Sequence, residues 1–367
     1  MLFKFKFHKY ILIGPLFIAL AISHGCLNKP DEPTGLGIPL GTIRNHYQTS
    51  YGYKYDFIRV FRHRLRFIKN YKTEEKNLIY LQKDSNLIVG LNYKESKLIF
   101  YDKDIVPKWT FGNKETNPFR QIAGIMYFEF KGDNVTLFDF QQQALKTFKK
   151  KGALISSYQI QSDSKIYRIA GISDTDFLYT DFSDSVKDLK FIDYNISSKR
   201  SVPKYTLKPF FHNKSIDYAG MVFDGRFVFE NNSKYLVFYC SFTGLFTVFD
   251  KNTGKLLFTT KTVDQTPYPK AAYNAIAPGY RSLDIKPNII FFNDGCIENN
   301  KFYLLNSVTK ENYFVVDKYN LDKNGKYEDS LIIPNMKKGG KPVSVRLINK
   351  FIYVLYENRS ITLFKIV

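Results

Sequence analysis

A strand-like run of aromatic and aliphatic residues, usually ending in Asp, recurs along this chain. It stands at 98–102 (LIFYD), 136–140 (TLFDF), 190–194 (KFIDY), 247–251 (TVFDK) and 314–318 (FVVDK). A sixth copy at 362–366 (TLFKI) carries Lys365 where Asp would stand. Upstream of each copy lies a second such run, at 87–91, 126–130, 176–180, 235–239, 301–305 and 351–355. Turns rich in Asn, Asp, Gly, Lys or Ser join the two. After most copies a further strand follows, as at 250–260 (DKNTGKLLFTT). There Asp250, Asn252 and Gly254 supply a hairpin turn, since Asn and Gly tolerate left-handed backbone. Units of this kind repeated at roughly 50 residues give the rhythm of a β-propeller. One small antiparallel sheet cannot bury both faces alone, and stacking sheets in a ring buries them against one another. The expected fold is all-β: a six-bladed β-propeller of four-stranded antiparallel blades. Unequal spacing between the Asp positions leaves seven blades as an alternative.

Composition agrees with strands. Phe (34) and Tyr (27) are abundant, and aromatic and β-branched residues fit pleated, half-buried surfaces. Ring closure makes a further demand. The sixth marked run ends at the chain's last residues, so its outer neighbour must come from the N-terminal side. Residues 57–69 (FIRVFRHRLRFIK) offer it, with Phe61, His63, Leu65 and Phe67 alternating with Arg62, Arg64 and Arg66. Those arginines read as a solvated sheet edge, or as a basic stripe for a phosphate-bearing glycolipid. The rhythm and the hairpin over about 55–367 resemble the six-bladed propellers of the TolB-like and NHL-like superfamily. Among those, the chain is similar to lipoprotein propellers of the Gram-negative envelope. The WD dipeptide of WD40 blades is absent, and Trp109 is the only Trp.

The N-terminus reads as an address. Lys4, Lys6 and Lys9 precede an apolar run at 11–22, followed by Ser23-His24-Gly25-Cys26. Basic start, apolar stretch and small residue at the cut form a secretory signal. The stretch resembles the lipobox of bacterial lipoproteins, which implies cleavage between Gly25 and Cys26 and lipidation of Cys26. Ser23 departs from the usual Leu. A plain secreted protein and an uncleaved anchor are the alternatives, although the apolar run is shorter than the roughly 20 residues a span needs. The expected division is a signal peptide at 1–25, a lipidated Cys and flexible tether at 26–50, and the propeller at 51–367. Residues 27–41 are rich in Pro and Gly, as a spacer should be. The expected location is the bacterial envelope, outer membrane included, on the periplasmic or outer face.

The net charge is +20, with three of the lysines in the signal. The remaining basic residues are interspersed with acids, and the signal places the chain outside the cytoplasm. Nucleic acid is therefore not the expected partner; a membrane, through the lipid, and an envelope protein or glycan are. Cys240 reads as a buried strand residue and Cys296 as a turn residue, with a disulfide between them as an alternative. No cofactor, metal spacing or nucleophile signature stands out.

Two long connections carry the candidate ligand-binding residues. Residues 208–221 hold Phe210, Phe211, His212 and Tyr218; residues 262–280 hold Tyr268, Tyr273 and Tyr280. Long loops with aromatics make contact area at low entropy cost, or they pack down on the blades as a lid. His212 with Asp217 reads as a polar contact rather than an acid–base pair. Asp322 to Asp329 reads as a hairpin tip, with a calcium loop as the weaker alternative. Asp184-Ser185-Val186 and Asp329-Ser330-Leu331 resemble short O-glycosylation sites. The expected function is a binding or scaffold module. The alternative is a metal-dependent lactonase or hydrolase, which resemblance to six-bladed enzymes implies and which would need acidic side chains converging on the axis.

Overall fold

Six four-stranded antiparallel sheets follow one another along the chain. The structure is a computed structural model that describes residues 40–48, 54–112, 122–162, 166–181, 188–211, 218–266, 268–277, 280–286, 290, 292–307, 313–336 and 340–367. Blade 1 consists of Leu78–Asp84, Leu87–Asn92, Lys97–Tyr101 and Pro107–Phe111. Blade 2 consists of Ile125–Lys131, Asn134–Asp139, Ala144–Lys149 and Leu154–Gln159. Blade 3 consists of Ile169–Gly171, Asp176–Thr180, Lys190–Asn195 and Arg200–Thr206. Blade 4 consists of Gly225–Phe229, Tyr235–Cys240, Leu245–Asp250 and Leu256–Lys261. Blade 5 consists of Phe292–Glu298, Lys301–Asn306, Tyr313–Asn320 and Lys326–Pro334. Blade 6 takes Pro342–Ile348, Phe351–Tyr356 and Ser360–Ile366 from the C-terminal end. Its fourth strand is Leu65–Lys72, from the N-terminal side. The fold is all-β with six blades.

The ring closes where the sequence demanded it, with a shifted strand. Ser360 pairs with Lys72 and Ile366 with Leu65, and the ladder runs on as Arg64 and Val367 exchange backbone hydrogen bonds at 3.0 and 2.9 Å. Leu65 is buried, Arg66 exposed and Phe67 half-buried, so the expected alternation holds there. It fails upstream. Arg62, His63 and Arg64 are all exposed and lie outside any strand. Phe57 to Phe61 belong instead to a separate hairpin, Gly41–Gln48 with Lys54–Phe61. Residues 41–48 therefore form a strand within the span expected as tether. A second separate hairpin, Lys270–Ala277 with Tyr280–Lys286, stands where the sequence suggested a loop.

Inner strands are dry on both faces, and outer ones are not. All six residues of Tyr235–Cys240 are buried, whereas Arg200–Thr206 is exposed over its first five. Apolar clusters join each blade to the next. One spans blades 2, 3 and 4, and others join 4 with 5, 5 with 6, and 1 with 2. The last joins Leu81, Ile88 and Ile99 of blade 1 to Leu355 and Ile361 of blade 6. Burying each large apolar side chain contributes roughly 1.5–3 kcal/mol, so the blade-to-blade seams carry most of the stability. The register shifts between third and fourth strands in every blade. A bulge at that place adds twist and turns the outer strand away from its neighbour.

The Asp signal marked two different things. Asp102 and Asp250 accept from backbone amides two to four residues on, and so build the outer hairpin turn. Asp139 ends the second strand of blade 2, not the third, and is buried against Lys146 at 3.0 Å. Asp317 is buried against Arg59 of the N-terminal hairpin. Cys240 and Cys296 are both buried free thiols, and burial is the main cause that pushes Cys296 up to about 12. Ser330 is fully buried and donates to Asp317 at 2.7 Å, which removes it as a glycosylation site. Ser185 lies outside the described residues.

Candidate functional site

The first strand of each blade borders the axis, and its polar side chains meet there. Arg346 Nη1 donates to Asp294 Oδ2 at 2.6 Å; Ser344 Oγ and the Val345 amide donate to the same oxygen at 2.5 and 2.9 Å. Three donors on one oxygen leave the other side of the pair unused. Asp294 Oδ1 and Arg346 Nη2 are buried with no hydrogen-bond partner. The Arg346 guanidinium also sits 4.3 Å from the centre of the Tyr80 ring, a cation–π arrangement. Burial works to lower its pKa, but Asp294, Tyr80 and Cys296 together outweigh that and hold Arg346 above its ordinary value.

Other carboxylates at the axis are held by cations too. Lys83 Nζ bridges Glu230 at 2.9 Å and Glu298 at 3.2 Å. Burial pushes the Glu230 carboxyl up, against the pull of Lys83. Lys251 pairs with Glu129 at 2.9 Å, and Glu129 also accepts from the Tyr127 hydroxyl at 2.6 Å. That hydroxyl accepts in turn from the Gly171 amide at 2.8 Å. A Cβ at Gly171 would meet Glu129 Oε2 at 2.6 Å and Tyr127 Oη at 2.9 Å, so the close approach requires glycine. Among the described residues, no group of three or more His, Cys, Asp or Glu side chains is placed to hold a metal ion.

At the end of the axis where the first strands begin, a cavity of about 250 Å³ opens. Its wall includes Ile79, Tyr80, Tyr127, Phe229, Arg168 and Arg226. The two arginines differ. Arg168 is chelated by Asp224, Nε to Oδ1 at 3.0 Å and Nη2 to Oδ2 at 2.9 Å. Arg226, half-buried on the neighbouring strand, has no hydrogen bond or ion pair among the described residues; burial works to lower its pKa, and Tyr239, Asp294, Tyr80 and Asp224 together hold it above its ordinary value through space. A smaller adjoining cavity shares Tyr80, Gln82 and Phe229 with the larger one and reaches Arg346.

The connection expected to bind leads to this same end, because residues 208–224 run directly into the strand that carries Arg226. Its aromatics pack as a lid. Phe211 stacks on the buried Phe223 at 4.9 Å and 22°, and Tyr268 meets both edge-on at 5.0 and 5.6 Å. Phe210 lies edge-on to Phe211 at 5.3 Å. Tyr218 is half-buried with left-handed backbone, just before the short helix Ala219–Val222. Phe210, Phe211 and Tyr268 are thus brought together. Tyr273 and Tyr280 lie on the two strands of the 270–286 hairpin. His212, Asp217, Gly25 and Cys26 lie outside the described residues. The carboxylates of 322–329 are tied to neighbours: Asp322 to Tyr235 and Lys234, Glu328 to Lys301 and Lys318. That leaves a hairpin tip, with Asn324 and Gly325 in left-handed conformation.

Sequence reasoning missed the axial arginines. Period-two alternation predicts which faces a strand presents, but not which edge meets the axis. The available signal was Arg226 within the strand-like stretch 225–229, just upstream of the run at 235–239.

No protein-family profile matches the chain, and no curated protein does. Solved structures do. A member of the DUF4221 family from Bacteroides vulgatus superposes with a TM-score of 0.56 at 11% identity, covering 83% of this chain and 98% of that one. A protein from Bacteroides fragilis described as exported superposes with a TM-score of 0.51 at 10% identity, covering 83% and 95%. At such identities the likeness extends to the fold, and it is to propeller proteins of bacteria that this chain's fold is similar.

Proposed function

We propose that this chain is an exported, lipid-anchored propeller that works by binding. The ring holds an envelope protein or glycan at the face where the first strands begin. The observation that carries the reading is the state of the axial carboxylates. Asp294, Glu129, Glu230 and Glu298 are each engaged by Arg or Lys. A lactonase-type centre needs such groups free to hold a metal and activate water; here Asp294 ties blade 5 to the neighbouring blade 6, and Glu129, Glu230 and Glu298 tie non-adjacent blades across the ring. A rigid ring with an open cavity at one end of its axis suits recognition better than turnover. The address rests on the signal-like segment and Cys26, and a propeller of like fold being described as exported agrees with it.

In-cell crosslinking of the tethered protein, followed by mass spectrometry, tests the reading. It expects a reproducible protein or glycan joined to residues 208–221 or 270–286. Crosslinks scattered over the outer strands would overturn it. Cys26→Ala should release the protein from membranes; unchanged fractionation would remove the anchor.

A further inference from the structure

The axial cavity holds a charge that the partner-binding reading does not use. Asp224 matches Arg168, and Asp294 matches Arg346. Glu230 and Glu298 share the single Lys83. The surplus carboxylate therefore lies at the end where the first strands finish, and the surplus cation, Arg226, lies near where they begin. Glu230 follows directly on the strand that carries Arg226, four residues on and roughly 13 Å away along extended chain, too far to pair.

We propose that this cavity binds a small organic anion: a carboxylate or phosphate monoester carried on one ring-sized apolar body. Asp294 and Asp224 act on Arg226 only through space, and a guanidinium taken partly out of water without a hydrogen-bonded partner loses hydration that an oxyanion ligand restores, with a bidentate match. Arg168 shows the alternative arrangement in the same wall, where the protein supplies its own carboxylate. Arg346 is a second, independent pointer. Its Nη2 is buried and without an acceptor, and Arg346 lines the adjoining cavity, which shares the Tyr80 and Gln82 walls. The rest of the wall selects the body of the ligand. Ile79, Ile125, Phe227 and Phe229 give apolar and aromatic surface that a bare inorganic anion would leave wet. A cavity of about 150 Å³ takes benzene; the space here is about 250 Å³, enough for one ring and its acidic group.

The test is titration calorimetry on the full-length protein extracted from membranes in detergent. Benzoate and phenyl phosphate are the probes, benzamide the neutral isostere and inorganic phosphate the bare anion. Saturable binding of benzoate or phenyl phosphate is expected, about tenfold or more tighter than benzamide or inorganic phosphate. Arg226→Gln should weaken it by a similar factor. Ile79→Trp, which fills the cavity from a partly exposed position, should abolish it and serves should Arg226→Gln fail to fold. No saturable binding of either probe, equal binding of benzamide, equal binding of inorganic phosphate, or probe binding unchanged in both variants would each overturn the proposal. Partner crosslinks at 208–221 and 270–286 are read separately, so loss of the anion site and loss of the partner reading are distinguishable.

Discussion

Arg59 holds the N-terminal hairpin to the ring, and its removal should be costly. The side chain is 3% exposed. Nε and Nη2 each lie 2.7 Å from an oxygen of Asp317, and Nη2 also lies 3.4 Å from Asp264. Burial works to lower the Arg59 pKa, and Asp317, Asp264 and Tyr319 together more than offset it, so the group is held above its ordinary value. Arg59→Met leaves two buried carboxylates without their cation. Breaking a buried pair from one side costs about 3–5 kcal/mol. Neutral donors remain: Ser330 on Asp317 at 2.7 Å, Thr262 and Asn306 on Asp264 at 2.5 and 2.6 Å. They place the expected loss near the lower end, about 3 kcal/mol. Urea unfolding followed through Trp109, which stacks on Phe100 in blade 1, reads it far from the altered site. Arg59→Met/Asp317→Asn removes the stranded charge and should recover about 2 kcal/mol of the loss. The pH dependence has a definite sign. Burial already holds the Asp264 carboxyl above its usual range, and Arg59 is the first group that pulls it back. In Arg59→Met it rises further, the native state binds more protons than the unfolded state, and stability falls as pH rises. The deficit should therefore be smaller near pH 5 than near pH 8. A loss below about 1 kcal/mol, the range of surface pairs, would refute the clamp, as would failure of the second substitution to recover anything.

Phe364→Ala removes a fully buried ring that meets Phe67 edge-on at 6.1 Å across the closing pair; a loss of about 3–5 kcal/mol is expected, with early proteolysis near residues 62–64. Gly171→Ala should cost about 1–3 kcal/mol in thermal or urea unfolding. Adding Tyr127→Phe should relieve part of that crowding, so strictly additive losses would count against the contact. For Glu328, burial pushes the carboxyl up, but Lys301, Asn320 and Lys318 outweigh it and hold it at about 2. Its folded pKa is depressed, so its contribution is present above about pH 4.5 and lost as pH falls toward 2. Glu328→Gln should flatten that acid limb in pH-dependent unfolding, and an unchanged limb would place the acid sensitivity elsewhere.

The sequence by itself determined what is local and periodic. Six dry strand pairs, their hairpin turns at Asp102 and Asp250, and the need for an N-terminal closing strand follow from period-two burial and turn chemistry, which neighbours along the chain decide. Two segments depart from that local pattern. The closing strand is Leu65–Lys72 because the residues upstream follow Arg59 to Asp317, 258 positions away. The hairpin at 270–286 is Ala-rich and weak in strand-forming residues, with only the Pro278-Gly279 dipeptide as a turn signal. Tertiary structure alone decided the candidate site. Whether an arginine is chelated, like Arg168, or makes no hydrogen bond among the described residues, like Arg226, depends on which carboxylate the next blade brings to the axis. A side chain's partners across a ring are set by packing geometry rather than by its own strand, and no local pattern encodes them.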